Sequence, residues 1–228
     1  MVETLCRFRA ASLPTLPRSL NAFKPAAPTL QELFAAPGDA AVSGWALAQI
    51  KPQGDGPLYW VQEARTLRDM GRVFAHGLPP VLRRPILHVV TRNAKDALWA
   101  MEEGLKCSSL SGVIGELHGD PQALDFTATR RLAVAAERYG VPAFLVRTNG
   151  QADLSGARRR WRVESRPSLP HLYDPKAPGP SVWSLDLFRA RDMQPGQWDA
   201  AYDRAAHHLN LVPANGDGAV AQSTSRYG

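Results

Sequence analysis

A three-layer α/β domain with a mainly parallel central sheet and antiparallel strands at its C-terminal end is the fold this sequence predicts. Short apolar runs of strand length alternate with amphipathic helical stretches between residues 30 and 147, and strands joined by helices at such intervals form right-handed βαβ units. Several of these runs are apolar without alternation, as strands covered by helices on both faces are. Beyond Arg147 the pattern changes to polar–apolar alternation, the mark of antiparallel strands with one wet face.

Residues 1–28 are basic and carry Pro14, Pro17, Pro25 and Pro28, so they read as an N-terminal arm. Leu30, Leu33 and Phe34 make the first apolar stretch. Pro37-Gly38-Asp39 then breaks the chain, and Asp39 is placed to cap a helix over 40–50 whose Val42, Trp45, Ala46 and Ile50 recur at helical spacing. After the turn at 51–56, residues 57–61 read as a buried strand ending at Gln62-Glu63. A helical pattern covers 66–75, and Ile86–Val90 is the next strand. Asn93 caps a helix over 94–106, Ser111–Leu117 is a strand, 125–139 is a helix stopped by Gly140, and 141–147 is a fourth strand of this kind. A polar loop over 148–157 precedes two antiparallel edge strands, 161–165 and 182–191. The segment 198–211 fits either a helix or a hairpin, and 212–228 read as a disordered tail. The domain proper is therefore 29–211.

The chain of 228 residues is 44% hydrophobic, enough for one sizeable core. No apolar run approaches the ~18 residues of a membrane span, and Cys6, Arg7 and Arg9 interrupt any secretory apolar segment in the first ten residues. A cytoplasmic protein without membrane contact is expected. The net charge of +6 and a pI near 9.7 favour an anionic partner, nucleic acid first. Two cysteines, Cys6 and Cys107, with no histidine at ligand spacing argue against a disulfide framework or a zinc site.

Ligands of parallel α/β sheets bind at the carboxyl ends of the strands, and the residues there carry the functional reading. The junction Ala35-Ala36-Pro37-Gly38-Asp39-Ala40-Ala41-Val42-Ser43 stands where a P-loop, G-x-x-x-x-G-K-[ST], would wrap phosphate with backbone N–H groups and a lysine. Ala41 holds the second glycine position and Val42 the lysine position, while Ser43 keeps the hydroxyl. Glu63 and Glu116 end the next strands.

With these positions the chain, from about Leu30 to Tyr202, resembles the RecA family. Within it the segment KDALWAMEEGLKCSSLSGVIGELHGDPQALDFTATRRLAVAAERYGVPAFLVR and the later WRV…VWSLDLFRAR…PGQW are similar to ImuA proteins. The resemblance implies a damage-inducible (SOS) accessory role in translesion synthesis and mutagenesis. It implies contacts with the Y-family-like ImuB protein and RecA, work beside an error-prone DnaE-type polymerase, and contact with DNA. It also assigns Glu63 to the water-activating glutamate and Glu116 to the metal-associated acid. Pro37, Ala41, Val42, Ser43, Glu63 and Glu116 then form a vestigial nucleotide site. Without the lysine a triphosphate lacks its key cation, so no catalytic residue, metal or cofactor is expected.

Arg158, Arg159, Arg160 and Arg162 beside Trp161 are candidates for DNA contact, although on a strand Arg160 and Arg162 would share a solvated face opposite a core Trp161. Ser184-Leu185-Asp186-Leu187-Phe188 resembles a sliding-clamp peptide, although the alternation of Leu185 and Leu187 reads as core. His88, His118 and His207-His208 have no paired nucleophile and read as structural. Trp99 is either a partner anchor or packed on the sheet. Rival readings are an active DNA-dependent ATPase using a non-standard lysine such as Lys51, and a SulA-like cell-division inhibitor.

Overall fold

The computed structural model describes residues 27–51, 56–174 and 176–212; all but the inner ends of the expected arm and tail lie outside them. One nine-stranded sheet runs through the molecule in the order β3-β2-β4-β5-β1-β6-β7-β8-β9. Its strands are β1 (Leu30–Ala35), β2 (Leu58–Glu63), β3 (Ile86–Thr91), β4 (Gly112–His118), β5 (Ala143–Thr148), β6 (Arg159–Arg166), β7 (Val182–Ala190), β8 (Gly196–Asp203) and β9 (His208–Val212). Strands β1 to β6 are parallel, and β6 to β9 form an antiparallel meander.

The helices are α1 (Ala41–Ala48), α2 (Ala64–Met70), α3 (Ala94–Leu105) and α4 (Phe126–Tyr139). Local chemistry sets their limits. Asn93 accepts from the Asp96 N–H at 2.9 Å, Asp125 accepts from the Ala128 N–H at 2.7 Å, and Gly140 ends α4 with φ of 72°. Helix α1 closes two residues earlier than its apolar spacing suggests, because Gln49 and Ile50 turn tighter onto Ala46 and Leu47. Helix α2 stops at Gly71, short of the expected end at residue 75, and 3-10 turns at Ala75–Gly77 and Pro80–Leu82 follow.

Two cores result. Val42, Trp45, Ala46 and Ile50 of α1, with Leu78 and Leu82, cover one face of the sheet through Trp60, Ile114, Trp161, Val163, Trp183, Leu185 and Leu187. Helices α3 and α4 cover the other face at β2, β4, β5 and β1 through Val61, Val113, Leu117 and Leu145. Aromatic rings weld the first core, with Trp45 5.2 Å from Trp161 and 6.3 Å from Trp183.

The expected edge position of 161–165 is corrected. Strand β6 lies inside the sheet, parallel to β1 and antiparallel to β7, because Trp161 and Val163 need α1 over them. The 198–211 ambiguity resolves as the β8–β9 hairpin. Its turn is held by His207, which has φ of 49° and whose Nε2–H donates to the Ile50 carbonyl at 2.8 Å. Its Nδ1 accepts from Tyr202 at 2.7 Å. Among the described residues no helix is long and apolar enough to cross a membrane.

Candidate functional site

The turn from β1 to α1 occupies the carboxyl end of a central strand, where a parallel sheet offers its ligand site. Pro37 and Gly38 form a tight turn closed by the Asp39 N–H on the Ala36 carbonyl at 3.2 Å. Gly38 has φ of 79°, as the third position of a type II turn requires. Asp39 accepts from the Ala41 N–H at 2.9 Å, one residue outside the cap position, which Ala40 holds. The same carboxylate accepts from the Ser165 N–H at 2.8 Å and the Ser165 hydroxyl at 2.6 Å, tying α1 to β6. Burial pushes the Asp39 carboxyl up, but these bonds outweigh it and hold it below its usual value. A protein anion therefore sits on the α1 N-terminus, where a phosphate would have to bind.

Val42, at the lysine position, is completely buried in the α1 core. Ser43 lies one residue further along α1, and its hydroxyl donates to Glu116 Oε1 at 3.0 Å. Trp60 Nε1–H donates to the same oxygen at 3.1 Å, and Gln62 Nε2 donates to Oε2 at 2.7 Å. Register explains the meeting, because Gln62 pairs with Glu116 across β2 and β4. The Gln62 nitrogen also reaches the Gly71 carbonyl at 3.0 Å, so its oxygen faces His88 Nε2 at 2.7 Å and accepts a hydrogen bond from the Nε2–H. Burial, followed by the nearby Arg72, lowers the pKa of His88. Glu116 is only 3% exposed, and burial raises its carboxyl above the usual range despite its three hydrogen bonds.

In P-loop ATPases the hydroxyl and the strand-end acid share a magnesium ion. Here Ser43 and Glu116 are bonded to each other, and both Glu116 oxygens are taken by protein donors. A nucleoside triphosphate with its metal does not fit these residues. Glu63 stands apart from the network, half-buried at the β2–α2 junction. Lys51 is exposed beyond the C-terminal end of α1, the far end from the Pro37–Gly38 turn, and is not placed to substitute for a P-loop lysine.

Each arginine candidate is paired with a carboxylate, and Arg159 and Arg160 are buried. Arg160 is 3% exposed and donates through Nε to Glu32 at 2.7 Å; Arg159 is 6% exposed and pairs with Asp192 at 2.6 Å. Arg158 binds Glu137 at 2.5 Å, and only Arg162, paired with Asp186 at 3.0 Å, is well exposed. Arg147 donates to the other oxygen of Glu32 at 2.8 Å and also pairs with Asp120. Their guanidiniums alternate with rings across the sheet. Arg147 and Arg160 each lie 5.3 Å from the Phe34 centroid, and Arg160 and Arg162 lie 5.2 and 4.2 Å from that of Phe188. This cluster was missed by local reading, because Glu32, Arg147 and Arg160 are far apart in sequence and meet only through the β5-β1-β6 order.

The clamp-like peptide is also corrected. Leu185 and Leu187 are fully buried in β7, Asp186 is held by Arg162, and Phe188 lies under arginines, so the segment is not displayed as a peptide. Trp99, by contrast, is 63% exposed on α3 rather than packed on the sheet.

The architecture is that of a RecA-like fold. Among solved structures the RadB recombinase is similar, with a TM-score of 0.52 at 14% identity over 82% of this chain and 92% of that one. No protein-family model and no curated protein matches the sequence.

Proposed function

We propose that this chain is a non-catalytic RecA-like accessory protein of an error-prone translesion synthesis complex, acting through protein contacts rather than nucleotide hydrolysis. The observation that carries the loss of catalysis is the direct Ser43–Glu116 bond at 3.0 Å beneath Trp60 and Gln62. It consumes the two groups that would share a metal ion, while Asp39 fills the helix N-terminus. The setting comes from the resemblance of residues 95–147 to ImuA proteins. It names an ImuB-like Y-family protein and RecA as partners, with a DnaE-type polymerase in the same assembly. With Arg158, Arg159 and Arg160 held by carboxylates, protein contacts outrank DNA contact in this reading.

Two titrations test it. Calorimetry with magnesium and a non-hydrolysable ATP analogue gives no binding at micromolar concentrations, and the purified ImuB-like protein or RecA binds the chain. Micromolar nucleotide affinity overturns the non-catalytic part. Failure to bind either protein overturns the adaptor part.

A further inference from the structure

We infer that the turn Ala75–Gly77 and the segments beside it form a binding surface for single-stranded nucleic acid. Arg158, Arg159, Arg160 and Arg162 are paired with carboxylates, so the chain's net charge of +6 has its free cations elsewhere. Residues 65–92 hold six arginines against one acid, Asp69, an excess of five. That stretch starts in α2 after the carboxyl end of β2 and passes through the two 3-10 turns, where Leu78 and Leu82 join the α1 core. It ends just beyond the edge strand β3. Two further segments converge on it. Arg204 Nη2, from the β8–β9 turn, donates to the Gly77 carbonyl at 2.8 Å. His207 of the same turn donates to the carbonyl of Ile50 at 2.8 Å, next to Lys51.

Lys51, Arg72, Arg83 and Arg204 are all exposed, and none forms an ion pair with a described carboxylate. The acids of these segments are engaged. Asp203 accepts from the Ala205 and Ala206 N–H groups at 2.9 and 3.0 Å, and Asp69 faces His118 at 3.6 Å. Cations gathered without counter-charges repel one another, and a bound polyanion relieves that repulsion. Among them stands an aromatic platform. Phe74 is 70% exposed, and its ring centroid lies 5.5 Å from that of His76. The backbone under it is fixed, because the Gly77 N–H donates to the Phe74 carbonyl at 2.9 Å and the Leu78 N–H to the Ala75 carbonyl at 3.2 Å. An open ring flanked by cations is the combination that holds unpaired bases by stacking and their phosphates by charge. A duplex hides its base faces from such a ring. An anionic membrane calls for a broad apolar face, and here the ring is bordered by arginines. An acidic polypeptide would use the cations and leave the ring idle.

Fluorescence anisotropy of a labelled oligothymidylate of about 15 nucleotides, within common site sizes, tests this with the full chain. Binding is expected at micromolar concentrations in about 50 mM salt and weakens steeply as salt rises. Arg72→Glu with Arg83→Glu weakens it by about tenfold or more and lowers its salt slope by about one or more. Lys95→Glu with Arg130→Glu, the same charge change on the opposite face of the sheet, alters it by no more than about twofold, because screening confines each charge to its neighbourhood. Phe74→Leu keeps apolar bulk without a stacking face and weakens binding by about fivefold or more, while Phe74→Trp retains it. Thermal melts show that each variant is folded. An oligouridylate of the same length tells ribose from deoxyribose strands, and tighter binding of either supports the inference. Absence of binding to both overturns it. So does equal loss in the two charge-reversal pairs, full binding by Phe74→Leu, or competition by duplex DNA, polyglutamate or anionic vesicles as strong as that by the single strand. None of these results bears on nucleotide or ImuB binding, so the two readings stand or fall separately.

Discussion

Two glutamates are sealed inside this sheet on opposite faces, and they are satisfied in opposite ways. Glu32, fully buried under the β5–β6 loop, meets two cations, Arg147 at 2.8 Å and Arg160 at 2.7 Å. Glu116, 3% exposed beneath α1, meets only neutral donors from Ser43, Trp60 and Gln62. The difference shows how one residue type does two jobs in a parallel sheet. With guanidiniums on both sides a carboxylate becomes a structural ion that fixes neighbouring strands. With amide, indole and hydroxyl donors it is a carboxyl short of compensating charge, held in place by hydrogen bonds alone.

The largest expected effect breaks the first arrangement. Glu32→Ala leaves Arg147 and Arg160 buried without their shared counter-ion, and removing one partner of a buried ion pair costs about 3–5 kcal/mol. Arg160 has no slack to absorb the loss, because its Nη2 already lacks a hydrogen-bond partner. Urea unfolding followed by circular dichroism measures the change. An unaltered midpoint would show that the charge network is incidental to stability.

Val42→Lys probes the other face and is expected to cost about 2 kcal/mol or more, since it drives an ammonium into a fully closed apolar site. Restoring the consensus lysine in this way does not create ATP affinity, because the Asp39 carboxylate still sits on the helix N-terminus. A gain of micromolar nucleotide binding would mean that one side chain alone had silenced the site.

How much of this was readable in advance follows from the range of each interaction. Strands and helices up to Thr148 are set by local periodicity and caps such as Asn93 and Asp125, and these were legible. The strand-to-helix junction before Ala41 and Val42 was legible for the same reason, being a single contiguous break at Pro37-Gly38. The Ser43–Glu116 bond was half legible. Both residues were singled out, but their contact depends on β4 lying two strands from β1, and Gln62 was passed over beside Glu63 although strand parity points Trp60 and Gln62 to the α1 face. The arginine run misled because a basic stretch is read as solvated until its partners, Glu137, Asp192, Glu32 and Asp186, arrive from elsewhere in the chain. Leu185 and Leu187 carried their own warning in their alternation, and their burial agrees with it.

The pH dependence of stability sharpens the contrast further. The Glu116 carboxyl is raised above its ordinary 4.5 by burial, so the folded chain keeps a proton that the unfolded chain releases. Its contribution is complete below pH 4.5 and is lost as pH rises from there through the folded-state value. Glu116→Gln removes this slope. Thermal melts of both proteins between about pH 4 and 8 check the sign, and a parallel pair of curves would place the titration elsewhere.

Asp39 should act in the opposite sense and more weakly. Its folded value lies below the ordinary 3.8, because bonds from Ser165 and the Ala41 N–H outweigh its burial. Its stabilisation is therefore present above pH 3.8 and lost as pH falls through the depressed value. Asp39→Ala removes a helix-terminal acceptor worth about 1 kcal/mol, and the loss shrinks toward acid as the wild-type carboxylate protonates. The same change frees the Ala41 N–H, so it separates two explanations of the proposed loss of nucleotide binding. If Asp39→Ala alone binds inorganic phosphate or ATP, the resident carboxylate is the principal block. If binding stays absent, the Ser43–Glu116 bond and the buried Val42 suffice without it. The second outcome is expected, because freeing a helix terminus restores neither the lysine nor a metal site.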